Sequence, residues 1–299
     1  MNNLVIIGNG FDLHHKLPTS FNDFRNFLSL NNQQIQYQGN PELLRLLDFY
    51  FNENWSDFEE KLCSFDLNDF IIEEGVDLVD DDNDEHPMRN QAIIEDSCTE
   101  KIKMLREDIP SEINEWINNI PYDAIDKQQL VKLFDKNDLF ISFNYSCTLE
   151  KIYKINPTNI VHLHGFAKEH YNEGEIIVGH GTKKTIIPKY KGKSNTLSDL
   201  FAADVYEDNK KIFQDLYKDP SKHIPKLEPI IEQIRLCRKI IILGHSLSSV
   251  DAEYFRFIAR TIPSQTTIHV YYHNTSDLAK MKTAAEDFFP QHRKKFILW

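Results

Sequence analysis

The chain has 299 residues, 41% of them hydrophobic, with 20 Phe and 12 Tyr, which is enough apolar surface for one large or two small folded domains and too much for a disordered chain. Its 34 Lys and Arg against 46 Asp and Glu give a formal net charge of −12; such a surface repels nucleic acid and anionic membranes at long range, so neither partner is expected. Four scattered cysteines, Cys63, Cys98, Cys147 and Cys237, form no C-x-x-C pair, and no apolar run is long enough for a signal peptide or membrane span, so the expectation is a cytoplasmic protein with no metal cofactor.

In chain order, the first element is a strand, Leu4 to Ile7, running directly into Gly8-Asn9-Gly10-Phe11-Asp12. Helix-spaced apolar residues then dominate Pro41 to Asn52, Trp55 to Phe65 and Asn90 to Ile120. They fill a connection of about 130 residues to the next strand. An ordinary crossover takes a few tens, so a helical insertion at about 40–135 is expected after the first βα unit. The acidic run Asp77 to Glu85 inside it reads as a solvated loop. Further short apolar runs are Leu139 to Phe143, Ile160 to Leu163, Ile176 to Val178, Ile240 to Leu243 and Ile268 to Tyr272. Their hydrophobicity is continuous rather than alternating, which suits strands buried on both faces of a parallel sheet. The predicted fold is therefore α/β and Rossmann-like, a single domain over 1–299 whose mostly parallel sheet carries helices on both faces.

Ligands of open α/β sheets collect at the C-terminal ends of strands, and four predicted strands deliver polar groups there. After the first, Gly8 and Gly10 permit a sharp turn and close approach of backbone N–H groups to a phosphate. His14 stands where a dinucleotide fingerprint has its third glycine, so an ordinary bend explains the turn as well. After the second, Asn144 in Ser142-Phe143-Asn144-Tyr145-Ser146 can orient a ribose hydroxyl or a water, or simply cap the helix starting at Thr148-Leu149-Glu150. The third delivers His162-Leu163-His164-Gly165. Alternation puts both imidazoles on one face, as a general base, as metal ligands or as hydrogen-bonded core residues. His180, in Gly179-His180-Gly181, is a further candidate. The fourth gives Gly244-His245-Ser246-Leu247-Ser248, then Asp251 and Tyr254 on a helix, suited to a phosphate or ribose contact. It also approaches the G-x-S-x-G elbow of α/β-hydrolases, with Ser246 as nucleophile and Asp277 and His292 as partners, although Ser248 replaces the final glycine.

Taken in order, G-N-G-F-D, S-F-N-Y-S, H-L-H-G and G-H-S-L-S-x-x-D resemble the AbiH family of bacterial phage abortive infection proteins over nearly the whole chain. Leu17-Pro18-Thr19-Ser20, and Trp55 with Glu59 in W-S-D-F-E, resemble it too. More distantly, the first three segments resemble the sirtuin-like NAD-binding fold. That resemblance implies NAD held by Gly8, Asn9, Gly10, Phe11 and Asp12; the strand, glycine and hydroxyl of the fourth segment add Gly244, His245 and Ser246 as candidate contacts to the same ligand. The resemblance also implies Asn144 at the nicotinamide ribose and His164, followed by Gly165, as base. The four-cysteine zinc module of sirtuin deacetylases has no counterpart, and Ser146 stands in place of an acid. The implied reaction is hydrolysis of NAD to nicotinamide and ADP-ribose through an oxocarbenium-like ribose. A small-molecule nucleotide as ligand, a phage-derived trigger or partner protein, homo-oligomerisation, and closure of the helical insertion over the pocket are further implications. The competing readings are a nucleotide sensor that leaves its ligand intact, the Ser246 hydrolase, and an interaction protein in which the histidines are core residues.

Overall fold

A computed structural model of the chain describes residues 3–30, 39–64, 96, 99–125, 130–170, 172, 175–183, 207–208 and 210–299. The acidic run Asp77 to Glu85 lies outside them. The described residues fall into two compact units, Met1–Asp23 with Ile113–Ile177 and Asp219–Trp299, and Phe24–Glu112 with Val178–Lys218. The segment read as an insertion at about 40–135 is thus shared between both units, and the second also takes in 178–218.

The first unit is a Rossmann-like α/β fold. Its strands are β1 (Leu4–Ile7), β2 (Leu139–Ser142), β3 (Ile160–His162), β4 (Lys239–Leu243), β5 (Thr267–Tyr272) and β6 (Arg293–Leu298), all parallel in the order β3-β2-β1-β4-β5-β6. Leu4 pairs with Leu139 on one side and Ile240 on the other. The pleat sends alternate side chains to opposite faces. Leu4, Ile6, Ile141, Ile240, Ile242 and Val270 pack against Phe255 and Ile258 of helix Ala252–Thr261 and Phe288 of helix Thr275–Phe288. On the reverse face, Val5, Ile7, Phe140, Ile241 and Leu243 pack against Phe11 of helix Asn9–His14 and Leu149 of helix Thr148–Lys151. The continuous apolar runs are the direct result of this double cover.

Two details depart from the sequence reading. Ile176 to Val178 forms no strand; Ile177 N–H instead donates to His164 O at 2.9 Å. The sixth strand, β6, carries Arg293, Lys294 and Lys295 and is half exposed, the composition of a charged edge strand rather than a buried one.

The described part of the second unit is helical. Asn40 caps helix Pro41–Phe51 by accepting from Leu43 N–H at 3.1 Å, with Pro41 at the first position, where its missing N–H costs nothing. Trp55 is fully buried, and its indole N–H donates to Asp48 Oδ1 at 3.0 Å. Asp48 in turn grips Arg25 with two bonds of 2.7 and 2.8 Å. Glu59 accepts from the Nζ of the fully buried Lys218 at 2.5 Å. His180 belongs to this unit, donating from Nε2 to Phe213 O and accepting at Nδ1 from Thr182 N–H; it is a core histidine tied to main chain. Among the described residues no helix is long and apolar enough to cross a membrane.

Candidate functional site at the strand-order switch

The strand order reverses between β1 and β4, the point at which open α/β sheets form a ligand crevice. The loops leaving these two strands touch through main chain. Gly10 N–H donates to Gly244 O at 2.7 Å and Gly8 N–H to Leu243 O at 3.1 Å. A Cβ on Gly10 would lie 2.8 Å from Gly244 Cα, and one on Gly244, whose φ is +64°, would lie 2.1 Å from Phe11 N. Only glycine permits that approach. Phe11 N–H donates to Gly8 O at 2.9 Å, so the amides of Gly8, Gly10 and Phe11 are committed to protein carbonyls. Asn9 Nδ2 reaches Thr19 O at 2.6 Å and Leu17 N–H reaches Asp12 O at 3.1 Å, tying Leu17-Pro18-Thr19-Ser20 back onto the turn.

Asp12, 1% exposed, is ringed by donors. Ser146 Oγ at 2.5 Å and Asn144 Nδ2 at 3.0 Å donate to Oδ2, and Thr148 Oγ1 at 2.6 Å donates to Oδ1. Burial still dominates and lifts its pKa from the usual 3.8 to about 6, against the three hydrogen bonds and with a small push from Glu150. Asn144 Nδ2 also donates to Gly8 O at 3.1 Å. Both of its neighbours can only accept, which fixes the amide orientation and consumes both N–H bonds. Asn144 Oδ1 is left buried without a partner. Asn144 does not cap the next helix, whose N-cap residue is Cys147. It therefore presents one acceptor at the end of β2, not the mixed donor and acceptor its residue type allows.

A second polar centre forms where His164 and His245 converge on Asp251, the N-cap residue of helix Ala252–Thr261. His164 Nε2 lies 3.2 Å from Asp251 Oδ1 and His245 Nε2 lies 3.3 Å from Oδ2. The first is an ion-pair approach off hydrogen-bond alignment. Leu247 N–H donates to His245 Nδ1 at 2.9 Å. Burial alone would raise the Asp251 pKa, but the charge and hydrogen bonding of the two imidazoles outweigh it and hold the carboxyl far below the usual range. Phe143 walls this centre: its ring stands edge-on to His245 at 4.5 Å and His164 at 5.2 Å, and stacks on Phe255 at 5.5 Å. Lys226 Nζ donates to Leu163 O at 3.0 Å, one residue before His164, and partial burial lowers its pKa.

His162 does not join His164. Its Nε2 is 2.7 Å from Glu150 Oε1 and its ring leans on Phe166. β3 ends at His162, and Gly165 turns the chain at a φ of +77°, so the alternation expected to align the two histidines stops short of His164. Ser246 is exposed after β4, whereas His292 precedes β6. In a parallel sheet those positions lie at opposite ends, about 16 Å apart along a five-residue strand, so Ser246 and His292 do not form a triad. The sequence left Thr148 and Asp251 without a role. Their signal is spacing: hydroxyls two and four positions after Asn144, and a carboxylate six positions after His245. Among the described residues, no three His, Cys, Asp or Glu side chains are arranged to hold a metal ion. A cleft of about 600 Å³ lined by His14, Leu133, Tyr271, Leu298 and Trp299 contains none of Asp12, Asn144 or His164.

No curated protein and no solved structure matches the chain. The family described as bacteriophage abortive infection AbiH matches it over residues 4–272, a span that includes both polar centres. The chain therefore belongs to the AbiH family of bacteriophage abortive infection proteins.

Proposed function

We propose that this abortive infection protein binds NAD at the β1–β4 switch and hydrolyses it to nicotinamide and ADP-ribose, with Asn144 and His164 as catalytic residues. The observation that carries this reading is the buried, unpartnered Oδ1 of Asn144. An unpaired buried acceptor costs roughly 1–3 kcal/mol, and a ribose hydroxyl or a water that donates to it removes that cost. Asn144 holds the attacking water or the ribose, and His164 takes the water proton. The water oxygen bonds to the ribose carbon as the glycosidic C–N bond breaks, its electron pair leaving with the nicotinamide nitrogen. Asp251 faces the imidazole that becomes cationic. The amides of Gly8, Gly10 and Phe11 are spent internally, so they do not hold the pyrophosphate.

Incubation of pure protein with NAD, with and without phage lysate as trigger, followed by chromatography, tests this. The expected result is equal amounts of nicotinamide and ADP-ribose, lost in Asn144→Ala and His164→Ala. NAD left intact under all these conditions, with both variants still protecting against phage, would refute it. Calorimetric binding of NAD with no nicotinamide release would instead select a sensor that binds the nucleotide without cleaving it.

A further inference from the structure

We propose, on the reading that NAD binds at the β1–β4 switch, that Glu150 is a specificity residue: with Asp12 it makes the end of β2 a negative pole that selects the positively charged nicotinamide ring of oxidised NAD over the uncharged reduced ring. Asp12 is 1% exposed, and its three hydrogen-bond donors, Ser146, Asn144 and Thr148, are all neutral. Glu150 lies two residues beyond Thr148 on the same short helix. Its charge reaches Asp12, Cys147 and Tyr122 and pushes the pKa of each upward. Its Oε1 is 2.7 Å from His162 Nε2, while Glu150 Oε2 and His162 Nδ1 are both buried without a hydrogen bond. Among the described residues no Lys or Arg pairs with either carboxylate; Lys151, next in the chain, sits over the Tyr122 ring, 4.3 Å from its centroid. Two carboxylates thus share at most one imidazolium, and above about pH 6, where Asp12 is ionised, the centre is negative in either protonation state of His162. Asn144 extends it: the side chain is buried, Nδ2 lies 3.0 Å from Asp12 Oδ2, and the unpartnered Oδ1 is the negative end of the amide dipole. A buried negative centre without a matching cation is completed by a ligand that brings one. Oxidised nicotinamide is a pyridinium, and its ribose gains further positive charge as the glycosidic bond loosens.

The test compares two ligands that differ in the charge of the ring: the carbocyclic analogue of NAD, a pyridinium that cannot be hydrolysed, and its reduced, uncharged form. Calorimetry at neutral pH and about 0.15 M salt, where surface charges beyond about 8 Å are screened, gives the ratio of their Kd values. A unit charge about 7–10 Å away changes affinity on the order of tenfold or more at an effective dielectric constant near 20, so the wild type is expected to favour the oxidised form by at least about tenfold. Glu150→Gln keeps an oxygen that accepts from His162 and loses only the charge; the preference should fall to about threefold or less. Asp12→Asn should lower it in the same direction and decides the matter if Glu150→Gln does not fold. Glu232→Gln, on helix Ile231–Arg235 leading into the other end of β4, should leave the ratio at the wild-type value. Equal affinity for the two forms in the wild type, or an unchanged ratio in folded Glu150→Gln, overturns the proposal. The ratio is read without turnover, so a protein that shows it yet leaves NAD intact defeats the hydrolytic reading and not this one, whereas a wild type that binds neither form overturns both.

Discussion

Replacing Asp12 by asparagine is expected to make the protein more stable at neutral pH. Asp12 is buried, and desolvation raises its pKa from 3.8 to about 6 even though it accepts hydrogen bonds from Ser146, Thr148 and Asn144. A carboxyl whose folded pKa is raised holds its proton in the native state over a range where the unfolded chain has already lost it. Stability therefore falls as pH rises from about 4 to about 6 and stays reduced above that. A shift of roughly two units corresponds to about 3 kcal/mol. Asparagine keeps the shape and can be satisfied: its oxygen accepts from Ser146 and Asn144, and its amide donates to Thr148, whose hydroxyl rotates to accept. Urea unfolding of wild type and Asp12→Asn at a series of pH values from about 4 to 7.5 reads the difference. The two should be close at the acid end, with the variant gaining up to about 3 kcal/mol by neutral pH. Parallel stability curves across that range would refute the reasoning. Nucleotide binding should weaken in the same variant if the negative charge is what the site retains Asp12 for.

Other substitutions probe the same frame. Asn144→Asp places a carboxylate oxygen against Gly8 O and Asp12 Oδ2, which now stand 3.1 and 3.0 Å from an N–H donor. It should cost roughly 3–5 kcal/mol at neutral pH and less in acid, measured by denaturant unfolding; a midpoint near wild type would contradict the assigned amide orientation. Gly244→Ala meets Phe11 N at 2.1 Å in a left-handed backbone and should destabilise by at least about 2 kcal/mol. An unchanged melting temperature would mean that the loops are not closed on each other. In the second unit, Glu59→Ala removes the carboxylate that the Nζ of the fully buried Lys218 reaches at 2.5 Å. A loss of roughly 3–5 kcal/mol is expected, with Glu59→Gln milder because it keeps an acceptor, and equal effects of the two would count against a charge pairing.

The residues made some of this arrangement readable in advance. β1, β2 and β4 announce themselves because they are covered on both faces, so Leu4 to Ile7 and Ile240 to Leu243 are uninterrupted apolar runs. β6 does not, since an edge strand rich in Arg and Lys has the composition of a surface segment. The four motifs do converge on one edge of the sheet, as their positions after strands implied. What they do there depended on partners far away in sequence. Nothing local to Gly10 says that its amide meets Gly244, and nothing local to Asn144 says that Asp12 and Gly8 consume both its N–H bonds. Asp251 sat in the quoted motif without a role because its partners follow β3 and β4, and His162 was misplaced because the strand ends there, two residues before His164.

The position of β1 also bears on how the protein is made. Leu4 is hydrogen-bonded between strands at Leu139 and Ile240, so the centre of the sheet is laid down long before either neighbour exists. At a synthesis rate of roughly 5–20 residues per second, β1 and its glycine turn wait for about ten seconds or more on the ribosome before Gly244 arrives to close against Gly10. No nascent or truncated chain that stops short of β4 contains His245 or Asp251, and Asp12 has no Asn144 until β2 is complete. This connectivity leaves every chain that stops short of β4 without the His164–His245–Asp251 centre and without the glycine contact that closes the turn after β1.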